Sequence, residues 1–237
     1  MGPMRAKRVC CAGPVGQATL HVLVPGPGGS AAAAAAVRVR VEACALGVHA
    51  VLLSGSGSFP ADYKTRPGAL KVSVSEATPT TTTATAAAAA AAAATTMALG
   101  GAEWEAVSWQ LAGCTSWLCG YFQRPAEAGH EEAPALHLPG LAPDGFTNLL
   151  YRTLTREVCV GRTVTYGGLA ELAGASRTAA RAVGNAMRHN PVPLLVPCHR
   201  VVPAQGGSGS FQGRLSSQLK AWLLRHEQGT DAPTSGP

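Results

Sequence analysis

Several things are scarce in this sequence. Aromatic residues are only 5% of its 237 residues and charged residues only 14%. Much of the 46% that counts as hydrophobic is alanine in homopolymer runs, so the core depends on a modest set of Leu, Val and ring residues. No run nears 18 apolar residues outside the alanine tracts, which leaves no candidate transmembrane helix. No apolar h-region opens the chain either. The seven cysteines are odd in number and lack the spacing of a disulfide framework. That excludes a disulfide-stapled secreted scaffold and points to free thiols or a metal site in a reducing compartment, cytosol or nucleus.

Acidic residues are scarce in one part only. Residues 1–144 hold nine Lys/Arg against nine Asp/Glu, whereas residues 145–237 hold ten against four. The net charge of +6 therefore lies in the second part, nearly all of it on arginine. A basic part beside a neutral one predicts a domain that meets a polyanion.

What is present divides the chain at about residues 139–144. The first domain, 1–139, reads as a small antiparallel sheet with helices. Leu20–Val24, Val37–Val41 and Gly47–Leu53 are strand candidates, and Val37-Arg38-Val39-Arg40-Val41 shows the period of two of a half-buried strand. Two low-complexity segments, 25–36 and 78–96, read as mobile insertions without function. Trp104, Val107, Leu111, Cys114, Leu118 and Phe122 follow helical spacing, and Pro125–Pro143 reads as a linker.

The second domain, 144–229, is denser in signals, and 230–237 reads as a disordered tail. Asp144 is placed to cap a helix bearing Phe146, Leu149, Leu150, Leu154 and Val158. Thr163–Ala173, a turn at Gly174, a cap at Ser176 and a helix over 177–189 make a helix-turn-helix pattern. Its second helix is poor in the Asn, Gln and Lys side chains that read base edges in the major groove. Ala179, Ala180, Ala182, Gly184 and Ala186 leave it bare, with Arg181 and Arg188 standing out. Such a face suits either a close approach to a narrow minor groove or tight packing on a neighbouring helix. A final helix carries Leu215, Leu219, Trp222 and Leu223 and ends near Glu227.

Between these helices, Pro197 stiffens the entry to Cys198, and His199 and Arg200 follow at once. A lone cysteine is ordinarily a small buried hydrophobe, but an imidazole or guanidinium beside a thiol favours the reactive thiolate. A reactive thiol on a DNA-binding domain implies chemistry on a base, and hence extrusion of that base from the stack. Two other classes stay open. One is a helix-turn-helix lesion-binding protein with an idle cysteine. The other is a cysteine hydrolase, which has little use for an arginine-bearing bare helix.

Three linked motifs carry a resemblance: Arg181-Ala182-Val183-Gly184-Asn185-Ala186-Met187-Arg188, Asn190-Pro191-Val192-Pro193 and Pro197-Cys198-His199-Arg200-Val201-Val202. From Phe146 to Glu227 the chain resembles the O6-alkylguanine-DNA alkyltransferases (methylated-DNA–protein-cysteine methyltransferases). The first part resembles the animal members through Cys44-x4-His49, Cys114–Leu118 with Tyr121-Phe122, and Pro134–His137. The resemblance implies an α+β fold whose second domain is a winged helix-turn-helix. It implies direct, single-turnover repair of O6-alkylguanine, and less efficiently O4-alkylthymine, in double-stranded DNA by a nuclear monomer. It also assigns roles. Cys198 is the alkyl acceptor, His199 its base, Glu227 the acid behind the histidine, and Asn190 the organiser of the turn. Tyr166 assists base flipping, Arg181 replaces the extruded base, and Thr147 and Arg188 meet the DNA. Met187, Pro193, Val196, Val201, Phe211 and Gln212 line the pocket. No cofactor serves the chemistry. A structural zinc is implied on Cys44, His49 and His137, with Cys10 or Cys11 a shifted fourth ligand.

The sequence departs from the family at a few places. Phe211 stands where tyrosine is common, Gln212 where serine is common, and Asn185 where glycine is. One extra residue lies near Ser176 and two lie between Gly213 and Trp222.

Overall fold

The structure, a computed structural model, describes residues 15–25, 33–57, 59, 70–79, 101–128, 131–207 and 217–228. Four strands come first: β1 (Gly16–Pro25), β2 (Ala33–Cys44), β3 (Gly47–Gly57) and β4 (Lys71–Pro79). They form one antiparallel sheet in the order β3-β2-β1-β4. Alternation sets the register. Val37, Val39 and Val41 are buried opposite Val22, Leu20 and Ala18, while Arg38 and Arg40 face outward. A slip of one residue would turn both arginines into the core.

All three strands expected from the pattern are present and extend beyond it. Two features differ. Ala33–Ala36, read as part of an insertion, belongs to β2 and pairs with Leu23, Val24 and Pro25. Backbone pairing needs no particular side chain, and Ala35 fills a small inward position beside Val24. The edge strand β4 is not among the expected strands, although Val72-Ser73-Val74-Ser75 alternates; Val72 is half-buried and Val74 is exposed. Of the second low-complexity segment only 78–79 is described, at the end of β4.

Helix α1 (Gly101–Gln123) covers the sheet with Val107, Leu111, Cys114, Leu118, Tyr121 and Phe122, all buried; the side chain of Trp104 lies outside the described residues. The stretch read as a linker holds a short helix, α2 (Pro125–Ala128). It then runs along β3, where Val48 N–H donates to Ala135 O at 2.8 Å and His137 N–H to Val48 O at 2.9 Å. Gly47 permits this approach: its φ is 144°, and a Cβ there would lie 2.6 Å from Ala135 O.

The second half comprises α3 (Phe146–Glu157), β5 (Val164–Thr165), α4 (Tyr166–Leu172), a 3-10 turn (Arg177–Ala179) and α5 (Ala180–Arg188). A 3-10 turn (Cys198–Arg200), β6 (Val201–Val202) and α6 (Ser217–Gln228) follow. β5 and β6 pair in parallel. Asp144 does not cap α3; the cap position is Gly145, which makes no side-chain bond. The buried face of α3 is Leu150, Tyr151, Thr153 and Leu154, followed by Val158, and Leu149 is exposed. Leu150, Leu154 and Val158 thus hold the expected stripe with Phe146 packed against the core, while Leu149 faces out and Tyr151 turns inward. Thr165 caps α4 by accepting from Gly168 N–H at 3.0 Å, and Ser176 caps the 3-10 turn by accepting from Thr178 N–H at 3.3 Å. Gly174 (φ 75°) makes the reversal between them, so the helix-turn-helix is formed as the pattern predicts. In α6, Leu219, Trp222 and Leu223 are buried, while Leu215 lies outside the described residues. The fold is α+β. No described helix is long and apolar enough to cross a membrane.

Candidate active site

Asn190 is buried and closes a loop on both sides of its amide. Its Nδ2 donates to Val196 O at 2.8 Å, and its Oδ1 accepts from Val192 N–H at 3.0 Å. The loop holds Leu194 at φ 74°, the one left-handed non-glycine among the described residues. Such a conformation costs of the order of 1–3 kcal/mol and persists only where its surroundings impose it. Val51 N–H donates to Pro191 O at 2.8 Å and ties the loop to β3. Pro197 then leads into the turn that carries Cys198, whose N–H donates to Val196 O at 2.8 Å.

Cys198 is 3% exposed. Burial pushes its thiol up to about 11, against a side-chain hydrogen bond from Asn190 and the cation of Lys220, which both pull it down. The flanking residues do not do what their position in sequence suggests. His199 and Arg200 both turn towards Glu227 of α6. His199 Nε2 lies 2.7 Å from Glu227 Oε1. Arg200 Nε donates to Oε2 at 2.9 Å, its Nη2 to Oε1 at 3.0 Å, and its Nη1 to Val158 O at 2.7 Å. Gly161 N–H adds a bond to Oε2 at 3.1 Å, and Tyr121 O–H, arriving from α1, donates to Oε1 at 2.9 Å. Burial disfavours the charge on Glu227, yet His199 and Arg200 outweigh it and hold the carboxyl well below its ordinary range. Burial lowers the pKa of His199, which is therefore neutral near pH 7. An ionised carboxylate only accepts, so the imidazole proton sits on Nε2. The other nitrogen, Nδ1, is buried and without a hydrogen-bond partner among the described residues. A neutral imidazole with one free acceptor nitrogen, next in sequence to a protonated thiol, is equipped to take that thiol's proton.

Two tyrosines face the thiol. Tyr151 and Tyr166 are each raised by burial, with a further contribution from charge on Cys198. Tyr151 O–H donates to Ala186 O at 2.9 Å and joins α3 to α5. Tyr166 is half-buried at the start of α4, with its ring beneath Gly184 of α5. On α5, Arg181, Ala182, Asn185 and Arg188 are exposed, whereas Val183, Ala186 and Met187 turn inward. The bare face is thus narrower than its composition suggests, because Ala186 belongs to the packing side. Thr147 is half-buried in the first turn of α3. Met187, Pro193, Val196 and Val201 are buried, and Phe211 and Gln212 lie outside the described residues.

In the first half, Cys44 Sγ and His137 Nδ1 are 3.2 Å apart. Among the described residues, no group of three His, Cys, Asp or Glu is placed to hold a metal. Cys10 and Cys11 lie outside the described residues. Zinc takes four ligands, and the described set falls short of it.

Sequence reasoning named Tyr121 only as part of a family motif and gave it no role in the site; it missed Tyr151 and Lys220, and the direction of Arg200. Tyr121 falls on the apolar stripe of α1, and a buried tyrosine hydroxyl needs a partner; that was the available signal. Lys220 lies buried between Leu219 and Trp222, with Nζ donating to Val201 O at 2.7 Å.

Residues 146–229 match the family described as the 6-O-methylguanine DNA methyltransferase, DNA binding domain. The chain is 47% identical over 143 residues to the methylated-DNA–protein-cysteine methyltransferase of Mus musculus, covering 60% of this chain and 64% of that protein. It therefore spans just under two thirds of the mouse relative's length. To the protein of that name from Homo sapiens it is 37% identical over 184 residues, covering 78% of this chain and 72% of that protein. Among solved structures, Mycobacterium tuberculosis OGT in complex with DNA is similar over 49% of this chain and 66% of that chain, with 35% identity and a TM-score of 0.42. A relative matched over most of its length at this identity leaves one assignment: the chain belongs to the methylated-DNA–protein-cysteine methyltransferase family, in its animal type.

Proposed function

We propose that the chain repairs O6-alkylguanine in double-stranded DNA, and less efficiently O4-alkylthymine, by moving the alkyl group onto Cys198. One observation carries the reading: a buried thiol is next in sequence to a histidine whose Nε2 is bound to Glu227 and whose buried Nδ1 has no hydrogen-bond partner among the described residues. The Cys198 proton passes to His199 Nδ1 through a water. The thiolate attacks the alkyl carbon in line, the carbon–O6 bond breaks, and the electron pair leaves with guanine O6. Tyr166 hydrogen-bonds the departing base, which takes up a proton as His199 returns to neutral. The product is a thioether, so each molecule acts once and no organic cofactor takes part.

The same reading places DNA on the face of α5. Arg181 fills the gap left by the extruded base, and Thr147 and Arg188 hold phosphates. The buried Met187, Pro193, Val196 and Val201 enclose the base. The protein acts as a monomer on nuclear DNA, and a fluorescent fusion tests that compartment. A structural zinc, with Cys44, His49 and His137 among its ligands, belongs to the reading too; elemental analysis of the purified chain tests it.

The deciding experiment is intact mass after incubation with methylated duplex. The expected result is one added methyl per chain, mapped to Cys198. Unmodified protein beside depleted lesion overturns the reading in favour of a turnover enzyme. The burial and raised pKa of Cys198 favour a second reading, lesion recognition without transfer. That reading requires Cys198→Ser to bind the lesion normally and the unaltered chain never to gain a methyl.

A further inference from the structure

We propose that Tyr121, carried by α1 in the first half of the chain, is a positioning residue of the alkyl-transfer site: its hydroxyl occupies Glu227 and so keeps His199 in the neutral form that accepts the thiol proton. This rests on the function proposed above and assigns part of the site to the half of the chain that does not carry Cys198.

The geometry is specific. Tyr121 O–H donates to Glu227 Oε1 at 2.9 Å, the same oxygen that lies 2.7 Å from His199 Nε2, and the hydroxyl is 3.5 Å from that nitrogen. Tyr121 is fully buried. Its ring stacks on Trp117 at 5.8 Å and meets His226 edge-on at 5.6 Å, while its backbone carbonyl lies 3.2 Å from His226 Nε2. Ring and backbone together fix the hydroxyl on the acid.

A donor on a carboxylate oxygen withdraws part of the negative potential that reaches the next partner. Tyr121 and His199 share Oε1, so the tyrosine reduces the pull of Glu227 on a proton at His199. The groups facing His199 are Glu227, which favours its protonation, Arg200 and Lys220, which oppose it, and neighbouring His226 and Cys198. Tyr121→Phe keeps the ring packing and all these charges but removes the shared donor. The carboxylate then acts more fully on His199, and the imidazole charges at a higher pH. A charged imidazole takes no proton, so alkyl transfer is lost at a higher pH as well.

The test uses the full chain as Tyr121→Phe. Two quantities are followed against pH: the rate of methyl uptake at Cys198 from methylated duplex, by quenched intact mass, and the titration midpoint of His199, by NMR. The expected result is an upward move of both midpoints by about one unit, or about tenfold slower uptake on the acid limb, with the fold retained. Uniform 3-fluorotyrosine, a stronger donor at the same place, moves the His199 midpoint down. Trp117→Phe, which loosens the ring stack but keeps the hydroxyl, leaves it in place. Unchanged midpoints in Tyr121→Phe, or an equal shift in Trp117→Phe, overturn the proposal and reduce Tyr121 to packing. If the unaltered chain gains no methyl, the proposed function fails, and the His199 midpoint still decides the case of Tyr121.

Discussion

Arg200 clamps Glu227 with two nitrogens, Nε at 2.9 Å from Oε2 and Nη2 at 3.0 Å from Oε1, although its neighbour in sequence is the thiol two residues away. The arginine therefore does not activate Cys198 directly. It fixes the acid, the acid fixes the imidazole, and only the imidazole is left to meet the thiol. The positive charge that does act on the thiol is Lys220, from another helix.

Arg200→Leu should be strongly destabilising. Breaking a buried ion pair by removing one partner leaves an uncompensated charge and costs about 3–5 kcal/mol. Here the stranded group is Glu227, which is 1% exposed. Urea unfolding measures the loss. A change of under about 1 kcal/mol would mean that Tyr121, Gly161 and His199 suffice to hold the acid.

Stability should fall as the solution is acidified from pH 7. His226 stacks on Trp222 at 5.2 Å, and burial lowers its pKa from 6.5 to about 4. The unfolded chain binds that proton more readily than the folded one. Its contribution is therefore full above 6.5 and is lost as pH falls towards 4, on the order of 3 kcal/mol in all. His199, also lowered, acts in the same sense. Glu227 adds a loss at lower pH, since a carboxyl held below its ordinary value of 4.5 stabilises the fold only while ionised. Melting temperature against pH checks this, and His226→Gln should flatten the curve between pH 6.5 and 4.5.

Asn190→Ala should slow methyl uptake more than it lowers the melting temperature. The substitution leaves Val196 O and Val192 N–H without their side-chain partner, a cost of about 1–3 kcal/mol. It also releases Leu194 from its left-handed conformation, which returns part of that cost while letting the turn before Cys198 drift. Uptake rate and melting temperature, measured on one sample, separate the two effects.

Local patterns foretold much of this protein, and the limits of that reading have a physical cause. The alternating valines and arginines of β2, the stripe of α1 and the capped turn of the helix-turn-helix are local, and each formed where its residues predict. Of the motif residues, Asn190 bonds the loop before Cys198, and His199 bonds Glu227. The partner of Tyr121 was beyond reach because it lies 106 positions away at Glu227, and no local pattern tells a buried hydroxyl which acceptor it will find. The charge beside Cys198 was misjudged for a related reason. Adjacent residues are visible in the sequence, but the enclosure that raises the thiol and the turn that ties His199 and Arg200 to Glu227 are not. Ala33–Ala36 failed differently, since an alanine run pairs as a strand when a neighbouring strand offers the backbone.

Arg181→Ala should separate work on the duplex from work on the base. Arg181 is exposed on the outer face of α5, on the same side as Asn185 and Arg188, while Tyr166 lies beneath that helix towards the thiol. An arginine that takes the place of an extruded base offsets part of an unstacking cost of a few kcal/mol. Its loss should slow uptake from duplex roughly thirty- to hundredfold. A free alkylguanine base needs no extrusion, and Cys198, His199 and Glu227 are untouched, so uptake from it should be unchanged. Arg188→Ala serves as the comparison. A phosphate contact carries no information about the base, so its removal should weaken duplex binding and reduce the salt dependence by about one ion. Equal loss on duplex and free base in Arg181→Ala would move Arg181 out of the groove and into the integrity of the pocket.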